Sequence, residues 1–213
     1  MFNTLTPPHF LPNERRNIHS FLNEHGYVVI KDIADPDYLQ GLFRKDLEQI
    51  NPQLKTKKSQ PIWSFQPNIQ YPEKTPGLIG EWGLSHGEAA WNVRTNQHIQ
   101  QQFANALETD VSNLVVSGDA IGFSPDNVAI NNKQNTWLHV DQVPNVFPGG
   151  DLYSLQGILY ATDSTLDSAT TVVAPGSHKD WNNHSYKNRH HFELVNQEHY
   201  IPQSKRLIIK AGS

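Results

Sequence analysis

The sequence predicts a mainly β fold with flanking helices, in which the strands form a double-stranded β-helix (a cupin-like jelly roll). Two observations indicate this fold. Apolar residues recur at helical spacing in the first half of the chain, and from Leu114 onward they recur at every second residue. Clusters of Gly, Pro, Asn and Asp separate the strand-like segments. Helices followed by a run of strands favour a β core with a helical flank, and a β-sandwich without a metal site is the alternative.

The individual elements follow from caps, breakers and periodicity. Three helices are predicted at about 13–25, 36–50 and 96–107, with Gly26 ending the first and Asp35 capping the second. Thr95 is the expected cap of the third helix. Strands are predicted at 27–30, 114–123, 136–141, 152–162, 170–174 and 206–210.

The chain of 213 residues is predicted to form a single domain over 1–213. Within it, residues 1–110 form a helical flank with a long loop excursion, and residues 111–213 form the jelly-roll core. The excursion, residues 55–88, is rich in Pro, Gly, Gln and Lys. Loops of this length are often functional lids, so this segment is expected to shape a pocket.

Composition excludes several classes of function. A formal net charge of −4 gives no basic surface for nucleic acid or for an anionic membrane. The sequence has no cysteine, which rules out disulfides and thiolate metal sites. No signal peptide is visible at the start, and no apolar run is long enough to span a bilayer, so a cytoplasmic location is expected.

The strongest chemical signal is the segment Thr136-Trp137-Leu138-His139-Val140-Asp141. In a strand, residues two apart project to the same face, so His139 and Asp141 are predicted to lie side by side. An imidazole and a carboxylate supply two corners of a 2-His-1-carboxylate facial triad, which leaves three iron positions open. His-x-Asp alone is a weak signal, and an ion pair at the surface is the alternative interpretation.

A second motif, Pro175-Gly176-Ser177-His178, follows a segment ending Tyr160-Ala161-Thr162-Asp163 and a Val-rich strand. Together with the upstream His139-x-Asp141, this order resembles the phytanoyl-CoA dioxygenase family of iron(II)- and 2-oxoglutarate-dependent oxygenases. Residues 21–30, Trp91-Asn92-Val93-Arg94 and Lys210-Ala211-Gly212 are looser matches, so the resemblance spans nearly the whole chain.

The resemblance implies an iron(II) cofactor, 2-oxoglutarate and dioxygen as cosubstrates, and hydroxylation of a small-molecule substrate. It also implies a second metal His and an Arg that pairs with 2-oxoglutarate, both on strands after the Lys-Ala-Gly segment. The third metal ligand is therefore unknown and expected beyond Ser213, which makes the predicted jelly roll incomplete at its C-terminus. Such a chain is expected to bind iron poorly by itself.

Several other residues are weaker candidates, each with a structural alternative. Gln156 and Tyr160 share a strand face and could bind 2-oxoglutarate, and Arg94 could bind an anionic group or form a structural salt bridge. Trp137 could wall the pocket or simply pack in the core. His178 is expected to bond nearby backbone rather than metal. His86 could line a substrate entrance. His190, His191 and His199 fall in a polar, strand-poor segment that predicts an exposed loop.

Three functions remain open from the sequence. The first is an oxygenase that hydroxylates a small molecule. The second is an inactive or truncated jelly-roll homologue that acts as a binding domain. The third, a cupin-like metal enzyme of another chemistry, is disfavoured because only His139 and Asp141 are clustered. Neither the substrate nor the oligomeric state can be inferred from the sequence.

Overall fold

Helices provide most of the regular structure in the computed structural model. It describes the residues 2–50, 78–79, 83–118, 121–122, 138–141, 154–166, 168, 170–183 and 193–213. The α-helices are α1 (Arg15–His25), α2 (Pro36–Ile50), α3 (Glu88–Thr95), α4 (Gln97–Ala106) and α5 (Gln197–Tyr200). Short 3-10 helices lie at Leu84–His86, Val111–Asn113, Ser177–Asn183 and Ile201–Gln203.

The strands in the described part of the chain are short and form four small sheets. They are β1 (Asn3–Leu5), β2 (His9–Phe10), β3 (Val29–Ile30), β4 (Leu78–Ile79), β5 (Ile121–Gly122), β6 (His139–Val140), β7 (Val172–Val173), β8 (Glu193–Leu194) and β9 (Lys205–Leu207). The largest sheet has the order β1-β9-β7, with β1 parallel and β7 antiparallel to β9. The other sheets are the parallel pair β2-β3 and the antiparallel pairs β4-β5 and β6-β8.

The predicted mainly β jelly roll is wrong. Within the described ranges, helical residues far outnumber strand residues and no strand exceeds three residues. An alternating pattern becomes a strand only where a neighbouring backbone completes the ladder of hydrogen bonds. Around residues 154–166 the long-range backbone bonds are isolated ones, such as those from Tyr160 N to Ser213 O and from Ser164 N to Ile209 O. Residues 114–118 show the alternating pattern, but Val115 is 97% exposed. The pattern there does not place one face of a strand against the core.

The first two helices were predicted closely. α1 ends at Gly26, whose φ of 77° lies in the left-handed region and whose N–H donates to Leu22 O. α1 begins at Arg15, two residues after the predicted start at about residue 13. α2 begins at Pro36, and the carboxylate of Asp35 accepts hydrogen bonds from the N–H groups of the next turn. These ends follow from local chemistry that the sequence displays.

The third predicted helix, at about 96–107, corresponds to α4 (Gln97–Ala106), but its predicted cap is wrong. Thr95 does not cap it, because its hydroxyl donates to Trp91 O within α3. Asn96 instead breaks the run with an extended backbone, and its side chain accepts from the N–H groups of His98 and Ile99 to begin α4. Asn96 therefore separates α4 from α3, a helix that was not among the predicted ones.

A buried carboxylate joins α2 to α3. Asp46 on α2 is 4% exposed, and its two oxygens accept from the N–H groups of Glu88 and Ala89, each at 2.9 Å. These N–H groups belong to the first turn of α3 and have no partner within the helix. Beside them, Lys45 forms an ion pair with the side chain of Glu88. The N-terminus of α3 is thereby fixed by the helix that packs against it.

Two apolar clusters form the described core. The first buries one face of α2 against the start of α3, and its members are Leu39, Leu42, Phe43, Leu47, Leu84 and Ala89. The second joins the small sheets, with Val29 packed against Leu207 and Ile209, and with Leu5 and Tyr160 at its margin. Among the described residues, no helix has both the length and the apolar character that crossing a bilayer requires.

Candidate metal site

His139 and Asp141 lie side by side, as the strand spacing predicts. His139 begins β6 and Asp141 follows its last residue, and Nε2 of the imidazole is 3.2 Å from Oδ1 of the carboxylate. The His139 side chain is 25% exposed and that of Asp141 is 52% exposed. The pair is thus accessible to a small ligand, with the imidazole more buried than the carboxylate.

The contact stabilises the ionised carboxylate. The hydrogen bond from the His139 side chain lowers the pKa of Asp141 below its usual value, and partial burial opposes this shift. A divalent metal requires this ionised carboxylate, and it would replace the proton that Nε2 of His139 shares with Asp141.

The geometry fits two neighbouring ligands of one metal ion. Two ligands each about 2.1 Å from an octahedral divalent ion lie about 3 Å apart, close to the 3.2 Å observed between Nε2 and Oδ1. The same distance is also ordinary for a hydrogen-bonded ion pair. The described residues contain no group of three or more His, Asp or Glu side chains that would complete a metal site.

The backbone that carries this pair is held from one side by the segment 193–197. β6 pairs antiparallel with β8, with His139 opposite Leu194 and Val140 opposite Glu193. Next to this pairing, the side chain of Gln197 bonds both the N–H and the C=O of Leu138. The sequence predicts a polar, strand-poor segment here, and two residues of it, Glu193–Leu194, supply the partner strand of β6. The Gln197 contact joins residues 59 positions apart, and no local pattern marks it.

Tyr160 is partly buried, and its hydroxyl contacts two threonines. Its oxygen accepts from Thr171 N at 2.8 Å and lies within hydrogen-bonding distance of the hydroxyls of Thr170 and Thr171. These contacts give Tyr160 a structural role at the edge of the second core cluster. Its binding of 2-oxoglutarate stays a prediction.

Arg94 also has structural contacts. Its guanidinium donates to Ser85 O and lies 5.4 Å from the centre of the Trp91 ring. The imidazole of His86 faces the same ring, with the two ring centres 6.4 Å apart. Arg94 therefore fixes the 3-10 turn that carries His86, and its binding of an anionic cosubstrate stays a prediction.

The remaining candidates are not brought to the pair by a described contact. Gln156 is exposed, and Trp137 and both His190 and His191 lie outside the described residues. His199 is exposed, and its ring packs edge-on against Tyr200. The third metal ligand is still unknown.

The Pro-Gly-Ser-His motif has the structural role that was expected of His178. Its ring nitrogen Nε2 bonds Asn23 O at 3.0 Å, and Gly176 N donates to His25 O at 2.8 Å. Both acceptors are carbonyls near the C-terminus of α1, where such groups lack helical partners. The ring lies over Gly26, where a Cβ atom would come within 2.3 Å of Nδ1. The motif thus clamps the end of α1.

Comparison with known proteins gives a distant similarity. The chain is 24% identical over 180 residues to "Ava biosynthesis cluster protein O" from Aspergillus versicolor, which covers 83% of this chain and 55% of that protein. The chain therefore spans about half the length of this curated relative. No protein-family model matches the chain, and no solved structure matches it. The dioxygenase family suggested by the motifs stays a prediction.

Proposed function

We propose that this protein is an iron(II)- and 2-oxoglutarate-dependent oxygenase that hydroxylates a small molecule, with His139 and Asp141 as two of the iron ligands. The observation that carries the proposal is the 3.2 Å separation of Nε2 and Oδ1 on β6. A relative named for a biosynthesis cluster supports an enzyme that acts in biosynthesis. The order of the His-x-Asp and Pro-Gly-Ser-His motifs supports the choice of oxygenase.

In this function, bound iron and 2-oxoglutarate supply the oxidising power for dioxygen chemistry. The protein supplies the ligand geometry. On metal binding, His139 would give up the Nε2 proton that it shares with Asp141, so that Nε2 would present a lone pair beside the anionic carboxylate oxygen. The proposal requires one further protein ligand, which the described residues do not place at the pair.

Anaerobic titration of the full-length protein with iron(II) and 2-oxoglutarate tests the proposal. We expect the visible charge-transfer band of the iron chelate, and its loss in His139→Ala and in Asp141→Ala. Two variants serve as matched controls, His98→Ala on the exposed face of α4 and Asp110→Ala in the turn after it. Both should keep the band. A folded full-length protein without the band would overturn the oxygenase assignment.

A binding domain without oxygenase activity is the second candidate. The observation that favours it is that His139 and Asp141 already satisfy one another, while no third ligand is described beside them. In that case the contact is an ion pair that stabilises the fold. Asp141→Ala would then lower the stability of the protein in metal-free buffer, and added iron(II) would change neither the wild type nor the variant.

A further inference from the structure

The side chain of Gln197 holds the backbone immediately before His139. Its Nε2 donates to Leu138 O and to Val195 O, both at 2.8 Å, and its Oε1 accepts from Leu138 N at 3.2 Å. The amide therefore bonds both backbone groups of Leu138 and ties them to the carbonyl of Val195. Gln197 is half-buried, so these bonds are partly shielded from water.

The contact is important because β6 has little other support in the described structure. β6 and β8 are two residues each and form a two-stranded sheet, a unit that is marginally stable in water. Val195 N adds one backbone bond to Leu138 O at 3.1 Å. Rotation of the peptide at Leu138 would turn the strand that follows and would change the direction of the His139 and Asp141 side chains together. The two bonds from Gln197 to Leu138 oppose that rotation.

We propose that Gln197 is a positioning residue for the metal site, and this inference rests on the proposed function. Its described bonds go to backbone atoms, not to the side chain of a metal ligand. It fixes the direction in which His139 and Asp141 leave the backbone, and so keeps both ligand atoms aimed at one ion. Outer partners that orient metal ligands typically change metal affinity by about 10- to 100-fold when they are removed.

Cobalt(II) binding to the full-length protein tests this inference without any turnover. We expect Gln197→Ala to weaken cobalt(II) binding about tenfold and to alter the visible spectrum of the saturated protein. Gln197→Glu should behave alike, because a carboxylate of the same size cannot donate to the two carbonyls. Gln203→Ala is the matched control, since Gln203 bonds only His199 O among its described contacts. It should leave both affinity and spectrum unchanged.

The outcomes separate the inference from the function on which it rests. If the wild type binds no cobalt(II) or iron(II), the proposed function fails. If the wild type binds cobalt(II) and both Gln197 variants bind it equally with the same spectrum, only the role of Gln197 fails. Should neither variant fold, amide exchange in the wild type decides: the Leu138 N–H should exchange slowly, and added cobalt(II) should slow it further. Exchange unaffected by the metal would overturn the inference.

Discussion

At the scale of single residues, three aspartate carboxylates differ in the groups that they bind. Asp46 accepts two backbone N–H groups in the interior, whereas Asp141 faces an imidazole at a partly exposed edge. Asp163 belongs to a third type. It accepts from Ala211 N at 2.9 Å and from Lys210 Nζ at 2.6 Å, and its side chain is 48% exposed. Asp163 therefore ties residues near the second core cluster through contacts that water screens.

The Asp163 contacts predict a dependence of stability on pH. The Ala211 N–H and the Lys210 ammonium lower the pKa of Asp163 in the folded state below its usual value. Its contribution is therefore present above the unfolded pKa of about 3.9 and is lost as the pH falls through the folded pKa. We expect Asp163→Asn to cost less than about 1 kcal/mol near pH 7, because the site is half exposed.

Urea unfolding of the wild type and Asp163→Asn, measured from about pH 7 down to about pH 3, checks this dependence. The difference in unfolding free energy should shrink toward acid pH. Asp110→Asn is the control, because the described contacts of Asp110 include no side-chain cap bond to its 3-10 turn. A difference that stays constant over this range would contradict the assignment.

At the scale of elements, the end of α1 shows how a turn is fixed from outside. Gly26 has a left-handed backbone, and the His178 ring occupies the space beside it. A Cβ atom at position 26 would meet both a strained φ and the Nδ1 atom of His178 at 2.3 Å. The turn therefore requires glycine for two independent reasons.

We expect Gly26→Ala to destabilise the protein by about 1–3 kcal/mol. Gly41→Ala is the matched control: Gly41 lies within α2, and a Cβ atom there would meet nothing within 4 Å. It should be neutral or stabilise by up to about 1 kcal/mol. Chemical denaturation of both variants measures the contrast. Equal effects at the two positions would show that the His178 clamp does not constrain the turn.

Local signals made helix ends predictable and left strand pairing unpredictable. Asp35, Pro36 and Gly26 act within one turn of their own helix, so the sequence displays their effect. Alternating residues such as Val115 carry no information about a partner strand, and the predicted jelly roll failed for that reason. At the candidate site, the approach of His139 to Asp141 follows from strand spacing alone. The role of Gln197, which lies 59 residues away from Leu138, cannot be predicted from strand spacing.

At the scale of the whole molecule, β1 and β9 join distant parts of the chain. Asn3 pairs with Lys205 and Leu5 with Leu207, across about 200 residues of sequence. Leu5 O accepts from Ile208 N at 2.9 Å, and the Leu5 side chain packs on the second core cluster. Closing so long a loop has an entropic cost that this pairing must offset.

We expect Leu5→Ala to destabilise the protein by about 2 kcal/mol, mainly by raising the unfolding rate. Contacts between residues so far apart in sequence tend to form after the transition state, so the refolding rate should change little. Stopped-flow refolding and unfolding of the wild type and the variant measure how the loss of stability is divided between the two rates. Leu11→Ala, at a 40% exposed position, is the control and should change both rates only slightly. A variant that slowed refolding alone would show that β1 docks early.

The β1-β9 pairing also has a consequence for biosynthesis of the chain. A ribosome releases residues 3–5 into solution long before it has made residues 205–207. During translation β1 therefore lacks its partner strand β9, and Leu5 is exposed to other nascent chains and to chaperones. The sheet can close only after nearly all of this sequence has left the exit tunnel.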